Sequence, residues 1–382
     1  MKPGNRQALL RALAQMGELE FLPETLEQEE SRRLFEGPRR RFREHAASLA
    51  AETGRADSVS FLYLHRSSLN ARAFSCDGHD FIAFNWGTLV LLQDLFFRIM
   101  SVPKVFPEIG DSSVEVKFPK LPQLPVDAAM LPKPADAARQ FETMPADAVR
   151  RLYALFLAEI ALNFLFMHEY QHIAGGHLSF LTGARRDMSE TNGPALADLM
   201  TSHVLELEAD AAAANFSLNI ALNRAWDDTI PPALLPSLAT DKSRFQAWLF
   251  AVHTLFLLME EATNRAFFAG RAPPATHPDS VFKRGTLAIL VFARRGPFPK
   301  AADAFQAGME MLMAAHEVLA GVAEGREQLM LGVDLFGEQD QDSIPLVAQR
   351  WQEMRPELQR LAALNGAHCA PDDLISVFLH GW

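Results

Sequence analysis

An apolar run from Leu152 to Met167 most constrains the fold, because a stretch with so few polar positions has to be buried. It is 16 residues long, against the roughly 20 that a bilayer span needs, and Glu159 interrupts it. Helical spacing continues to Ala174, where a glycine pair follows. We therefore predict a buried core helix from about Asp147 to Ala174 rather than a membrane span.

This run leads directly into the sequence His168-Glu169-Tyr170-Gln171-His172. At about 3.6 residues per turn, positions four apart share a helix face, so His168 and His172 can offer two imidazoles to one metal ion. Glu169 is then expected to point toward a water on that metal, the arrangement of a zinc site that activates water for attack on a carbonyl. The alternative is a pair of partly buried histidines on a core helix.

A second long helix is predicted from Pro194 to about Asn223, and it carries Glu206 and Asp210 on one face. Catalytic zinc commonly has three protein ligands, and two histidines with one glutamate are an established set. Glu206 is the candidate third ligand, and Asp210 would orient a ligand histidine from behind. Glu208 is expected to face away, about 200° further round the helix. His203, one turn before Glu206, is an alternative ligand.

His177 is a rival third ligand. The metzincin pattern H-E-x-x-H-x-x-G-x-x-H finds its glycine at Gly175, but its third histidine would fall on residue 178, which is Leu178. Because that pattern closes a fixed turn around the zinc, a shift of one residue disfavours it. His177 is therefore better placed as a neighbour of the ligand helix than as a ligand.

Composition limits the classes of protein to which the chain can belong. Its 382 residues are 49% apolar, enough for one large core or two ordinary ones, and a net charge of -11 argues against a general nucleic-acid binder. Cys76 and Cys369 are the only cysteines, so neither a disulfide framework nor a cysteine-ligated zinc site is available. The N-terminal sequence lacks the apolar core of a signal peptide. We expect a cytoplasmic protein without a stable membrane span.

A small sheet is predicted beside the helices. Helical spacing extends over residues 6–51, where an arginine run indicates a solvated helix face. Two strands, Ser58–Leu64 and Asp80–Asn85, are rich in β-branched and aromatic residues, and a turn through Asp77 and Gly78 precedes the second. An exposed edge strand would bind an extended peptide, whereas an ordinary packed hairpin is the alternative. The arginines of the run are Arg32, Arg33, Arg39, Arg40, Arg41 and Arg43.

A proline-rich segment precedes the ligand helix. Eight of the chain's 23 prolines lie between Pro103 and Pro145. Proline lacks an amide donor and fixes φ, so a long regular element is excluded there. Long irregular segments in compact domains are functional covers or flexible connections. Because of its position, we predict that this segment forms a lid over the cleft.

Together these motifs resemble one family, the gluzincin zinc peptidases of the heat-shock and CAAX-processing type, in its soluble branch. The family has H-E-x-x-H followed five residues later by a histidine, E-x-x-A-D on a following helix, an upstream N-A-x-A turn that leads into a strand, and a downstream His-Pro pair. The overall organisation is also similar to that of phage-exclusion peptidases of the Lit type, which are cytoplasmic and act on a translation factor. The matching residues are His168, Glu169, His172, His177, Glu206, Ala209, Asp210, Asn70, Ala71, Ala73, His277 and Pro278.

The resemblance implies a Zn²⁺ cofactor and assigns further roles. His277 would stabilise the oxyanion, helped by Lys283 or by Arg284, since the family's arginine position is a lysine here and the arginine comes one residue later. His177 joins Asp210 as a residue behind the ligands. The upstream turn and the strand after it supply the candidate substrate-binding residues, which are Asn70, Ala71, Phe81 and Ala83.

We therefore predict an α+β, mostly α, fold with a zincin-like core. It comprises an N-terminal helical region at 1–57, a peptidase core at 58–290 with a proline-rich insertion at 103–145, and a C-terminal helical region at 291–382. The predicted function is that of a zinc-dependent endopeptidase of a protein or peptide substrate, with Glu169 as general base. The alternative is a zinc-containing regulatory or protein-binding module whose peptidase chemistry is unused or latent. An activating partner or ligand would fit either function.

Overall fold

The computed structural model describes residues 3–54, 59–115, 127, 143–181, 187–189, 199–223, 230–268 and 338–370, with seven helical positions between 306 and 317. These residues are mostly helical with one small mixed sheet, so the predicted class is confirmed. The helices are α1 (Pro3–Met16), α2 (Glu29–Glu52), α3 (Trp86–Met100), α4 (Ala148–Ala174), α5 (His177–Phe180), α6 (Leu199–Leu222), α7 (Asp241–Phe268) and α8 (Glu338–Leu364). The strands are β1 (Glu20–Phe21), β2 (Val59–Leu64), β3 (Ala71–Cys76), β4 (His79–Asn85) and β5 (Asp187–Ser189).

The sheet has the strand order β1-β2-β4-β3-β5. The two strands predicted from the sequence, β2 and β4, pair in parallel, and β3 pairs antiparallel with β4. Where the sequence predicts only a turn before β4, the chain forms a full hairpin. Asp77 and Gly78, with φ angles of 51° and 76°, make its two-residue turn. β1 pairs with β2, so the N-terminal region, predicted to be helical, also contributes a strand.

Successive side chains along each strand point to opposite faces of the sheet, and both faces are apolar. One face packs against α1 and contains Phe74, Phe81 and Ala83. The other packs against α2 and α4 and contains Phe61 and Ala71. Since α4 also contacts α3, α6 and α7, it is the central helix of the described structure.

α4 begins and ends where the sequence predicts. Asp147 caps its first turn by accepting a hydrogen bond from the amide of Arg150 at 2.9 Å. After Ala174 the chain turns through Gly176, whose φ of 75° lies in the left-handed region that favours glycine. Most of the apolar run within α4 is buried, as predicted, while Leu155 is 38% exposed. Among the residues that the structure describes, no helix has both the length and the apolar character needed to cross a bilayer.

Arg150, with none of its surface exposed, organises the start of the proline-rich segment. Its guanidinium donates to five backbone carbonyls, at 2.8–3.1 Å, in the last turn of α3 and the turns that follow it. An irregular segment can be buried when its carbonyls are satisfied in this way. The acceptors belong to Met100, Val102, Val105, Phe106 and Ile109.

This part of the proline-rich segment does not lie over the metal motif. Arg150 precedes His168 by 18 residues, which is about 27 Å on a helix that rises about 1.5 Å per residue. The turns around Arg150 therefore lie near the opposite end of α4, and the predicted lid is wrong for residues 103–115. Residues 116–126 and 128–142 of the segment lie outside the described ranges.

The arginine run of α2 also has inward contacts. Arg39 is 9% exposed and pairs with Glu24 at 2.7 Å, while Arg41 pairs with Glu159 of α4 at 2.9 Å. These ion pairs join α2 to the segment before it and to the central helix. The prediction of a solvated face is therefore wrong for these two arginines.

We expect Arg150→Met to lower the free energy of unfolding by about 3 kcal/mol or more, because buried carbonyls and the nearby Glu115 lose their charged donor. Urea unfolding followed by circular dichroism measures the change. Arg151→Met, at the half-buried neighbouring position, is the matched control, with an expected loss below about 1 kcal/mol. Equal losses in the two variants would contradict the role assigned to Arg150.

Candidate metal centre

The packing of α4 against α6 brings the three predicted ligands together. His168 Nε2 lies 3.0 Å from His172 Nε2 and 3.2 Å from Glu206 Oε2. His172 Nε2 lies 3.8 Å from Glu206 Oε1. One ligand atom from each residue lies within 4.8 Å of the other two. His203, the alternative ligand on α6, does not belong to this group.

These separations fit a tetrahedral zinc ion. Zinc binds nitrogen and oxygen at about 2.0–2.2 Å, which places neighbouring tetrahedral ligands about 3.3–3.6 Å apart. The two histidine nitrogens, 3.0 Å apart, are slightly closer than that range, while different carboxylate oxygens of Glu206 lie 3.2 Å from His168 Nε2 and 3.8 Å from His172 Nε2. Three protein ligands leave a fourth position for water or substrate, as in catalytic rather than structural zinc sites.

Four carboxylates in and next to this group are buried. Glu169, Glu206, Glu208 and Asp210 each expose between 1 and 3% of their surface. Removing a carboxylate from water is costly unless a positive charge or a set of donors compensates it. A divalent cation held by the three ligands would supply such a charge, so the electrostatics of the site favour a metal ion.

Asp210 fixes the orientation of the first histidine. Its Oδ1 lies 2.9 Å from His168 Nδ1. When a metal occupies Nε2 of a neutral imidazole, the proton is on Nδ1, from which it is donated to the carboxylate. The structure thus places Asp210 next to His168 on the side opposite Nε2, the position that the sequence predicts.

The second histidine has a longer chain of partners. His172 Nδ1 lies 2.9 Å from His177 Nδ1, and His177 Nε2 lies 3.6 Å from Glu208 Oε2. Glu208 Oε1 accepts a hydrogen bond from the amide of Ala370 at 2.8 Å. Glu208 is outside the ligand group, as helix geometry predicts. Its contact with His177 was not predicted, because that residue lies on a different helix.

Cys369 is a further partner of Glu208. Burial, followed by the charge of the Glu208 carboxylate, raises the pKa of Cys369 to about 12. The thiol is therefore protonated at neutral pH. Because the Ala370 amide binds Glu208 and the Glu208 charge acts on Cys369, the segment Asn365–Ala370 belongs to the surroundings of the site. We call this segment the C-terminal strap.

The C-terminal strap also closes the end of α4. Asn365 Nδ2 donates to the carbonyls of Ile173 and Ala174 at 3.0 and 3.2 Å, which helps to satisfy the acceptors at this helix end. The preceding helix, α8, packs closely on the same region. A Cβ added to Gly176 would lie 2.5 Å from Leu361 Cβ. Glycine is thus required there both for its positive φ and for its size.

We expect Gly176→Ala to lower the free energy of unfolding by more than Gly54→Ala. Both glycines have positive φ angles, 75° and 70°, at which alanine costs roughly 1–2 kcal/mol. Only at Gly176 does the added methyl group also meet a neighbour, since nothing lies within 4 Å of the Cβ position at Gly54. Urea unfolding of both variants measures the difference. Equal losses would show that Leu361 does not restrict residue 176.

Three of the four candidate substrate-binding residues are unsuited to pairing with a peptide. Phe81 and Ala83 lie on β4, which is paired along both edges, and their buried side chains pack on the α1 face of the sheet, opposite α4. Asn70 is 3% exposed, and its amide and carbonyl both bind the hydroxyl of Thr88, at 2.9 and 2.7 Å. The predictions for these three residues are therefore corrected. Ala71 lies on the α4 face of β3.

The three remaining candidates, His277, Lys283 and Arg284, lie outside the described residues, so their placement near the ligands stays a prediction. Comparison of the chain with protein-family models, with curated proteins and with solved structures finds no match. The gluzincin resemblance therefore rests on the sequence motifs alone, and the metal centre rests on its own geometry.

Proposed function

We propose that the chain is a zinc-dependent endopeptidase of the gluzincin type. The observation that carries this proposal is the convergence of His168, His172 and Glu206, whose ligand atoms lie within 4.8 Å of one another, with Glu169 one residue after the first of them. Two histidines, a glutamate and an adjacent carboxylate are the donor set of water-activating zinc hydrolases. The proposed cofactor is Zn²⁺.

Each side chain of the site has a role in peptide hydrolysis. His168, His172 and Glu206 would hold zinc, which when bound polarises the peptide carbonyl and makes water more acidic. Glu169 takes a proton from the attacking water as its oxygen adds to the carbonyl carbon. It then gives that proton to the leaving amine as the C–N bond breaks, so the products are a carboxyl group and an amine. Asp210 accepts from His168 Nδ1 and so keeps Nε2 directed at the zinc.

Two further roles rest on the family resemblance. His277, with Lys283 or Arg284, would stabilise the negative charge that develops on the carbonyl oxygen. Ala71 on β3, beside α4, is the remaining candidate for pairing with an extended substrate. Because β5 pairs with the next residues of β3, Arg72, Ala73 and Phe74, β5 would have to move aside for such pairing. The proposed substrate is therefore a protein or peptide segment that can adopt an extended conformation.

Burial of the ligands favours a latent form of the enzyme. His168, His172 and Glu206 expose 0, 1 and 3% of their surface. A peptide bond reaches such a site only after neighbouring segments move. We therefore include in the proposal a partner or ligand that activates the enzyme. We also propose a cytoplasmic location, and latency fits that location because uncontrolled cleavage of cytoplasmic proteins would be harmful. The same burial is the observation that favours the second candidate, a zinc-containing regulatory module whose peptidase chemistry is unused.

We expect Glu169→Gln to keep its zinc and to lose cleavage by a factor of about 100 or more, because the ligands remain while the general base is gone. Cleavage is measured by incubating the purified protein with a proteome and identifying new N-termini by mass spectrometry. Glu159→Gln is the matched control, since Glu159 lies on the same helix and pairs with Arg41 instead. Full cleavage by Glu169→Gln would refute the mechanism.

The same incubation separates the two candidate functions. A zinc-loaded wild-type protein that produces new N-termini, alone or with added cell extract, is an endopeptidase. One that binds zinc and produces none under either condition is the regulatory module. The zinc measurement must accompany the cleavage assay, because a metal-free preparation would be inactive in both cases.

Zinc should also stabilise the fold. We expect one bound zinc per chain, which at a free concentration about 100 times its Kd adds about 2.7 kcal/mol to the free energy of unfolding. A chelator should therefore lower the urea midpoint of the wild-type protein and have less effect on Glu206→Gln. If the chelator removes zinc without changing the wild-type midpoint, the ion is not bound specifically by the folded state.

A further inference from the structure

We propose that Glu208, acting through His177, is a positioning residue for the ligand His172, and that the C-terminal strap holds Glu208 in place. The inference rests on the proposed zinc site and deepens it. It assigns a role to a buried carboxylate that takes no part in the hydrolysis described above. It also connects the metal centre to residues near position 370, far along the chain.

The direction of the hydrogen bonds follows from the geometry of the imidazoles. A metal at His172 Nε2 requires the proton on His172 Nδ1, which lies 2.9 Å from His177 Nδ1. His177 Nδ1 must then accept, so a neutral His177 carries its own proton on Nε2. That nitrogen lies 3.6 Å from Glu208 Oε2. The donors thus run in one direction, from the ligand through His177 to the carboxylate.

The contact between His177 and Glu208 is slightly longer than a hydrogen bond. Both residues are buried, with exposures of 0 and 1%. Within the described part of the chain, His177 Nε2 and Glu208 Oε2 have no hydrogen-bond partner. A movement of a few tenths of an ångström would join the two atoms. Burying an imidazole and a carboxylate together is costly unless they interact, so their juxtaposition favours a joint role.

α6 would then support both histidines of the metal centre. It provides the ligand Glu206, and one turn further along it provides Asp210, whose carboxylate lies 2.9 Å from His168 Nδ1. Glu208 lies between these two residues in sequence, on another face of the helix. It reaches His172 only because His177, on the short helix α5, fills the space between them. Each histidine ligand is thus supported by a carboxylate of α6, one directly and one through a second imidazole.

The C-terminal strap fixes the orientation of Glu208. The amide of Ala370 donates to Oε1 at 2.8 Å. The strap is itself held to α4 by Asn365, which binds the carbonyls of Ile173 and Ala174. With Oε1 engaged by the strap, Oε2 is directed at His177.

The test measures zinc affinity by chelator competition, together with the visible absorption spectrum of the Co²⁺-substituted protein. We expect Glu208→Gln and His177→Phe each to weaken zinc binding about 10- to 100-fold, as substitutions behind metal ligands do, and to alter the Co²⁺ spectrum. The double variant should bind zinc about as weakly as the weaker single variant, because the two residues act as one chain. Gln at position 208 keeps an acceptor for the Ala370 amide, which preserves the strap.

Glu115→Gln is the matched control. Glu115 is also a buried carboxylate that accepts backbone amides, those of Ala146 and Asp147, but it lies at the other end of α4. It should keep the wild-type zinc affinity and Co²⁺ spectrum even if its urea midpoint falls. A purely structural role for Glu208 would give that same pattern.

Three results would overturn the inference. The first two are a zinc affinity within about twofold of wild type in Glu208→Gln, and the same in His177→Phe. The third is a loss of zinc affinity in the double variant equal to the product of the two single losses. If Glu208→Gln lacks the native circular dichroism spectrum, His177→Phe carries the test with the same thresholds. The outcome is separate from that of the proposed function. Wild-type protein that binds zinc but cleaves nothing leaves this inference intact, whereas wild-type protein that binds no zinc overturns both.

Discussion

Between α4 and α6, imidazoles and carboxylates face one another in a region from which water is largely excluded. Charged groups in such a region must compensate one another, and a bound cation would compensate several carboxylates together. Around this polar region, buried apolar residues of both helices belong to one core cluster. A polar layer of this kind also restricts how the helices can slide, because any shift separates several pairs together.

The central helix is held at both ends by polar groups that satisfy backbone carbonyls. At its N-terminal end, Arg150 donates to backbone carbonyls at the end of α3 and in the turns that follow. At its C-terminal end, Asn365 donates to the carbonyls of the last two residues of α4. Neither contact touches the metal centre. Both restrict the movement of the helix that carries His168 and His172, and metal ligands need positions accurate to within about half an ångström. Rigidity in α4 is therefore part of the site.

Local patterns in the sequence predicted much of this arrangement. The limits of α4 follow from an aspartate cap and a glycine terminator. The ligand group follows from two histidines four apart on α4 and from Glu206 on the next long helix. β3 was missed because its sequence, with Arg72 and Ser75 among small residues, lacks the β-branched signal of β2.

The contacts of Glu208 could not be found in the same way. A helical wheel describes one helix at a time, and the partners of Glu208 lie on α5 and in the C-terminal strap. The inward contacts of Arg39 and Arg41 were missed for the same reason, since their partners are distant in sequence. Long-range packing decides such cases, and no local pattern encodes it. Long-range pairing also sets the central position of β4, between β2 and β3. That position excludes Phe81 and Ala83 as substrate-binding residues.

The C-terminal strap gives the candidate metal centre an order of assembly. Ala370 follows Glu208 by 162 positions, and a chain emerges from the ribosome with its N-terminal part first. His168, His172 and Glu206 can therefore meet while the strap has yet to be made. During that interval the strap does not yet bind Glu208, so the chain of contacts behind His172 is incomplete. The three ligands would then be present before their final geometry is fixed. Translation itself would then delay maturation of the site.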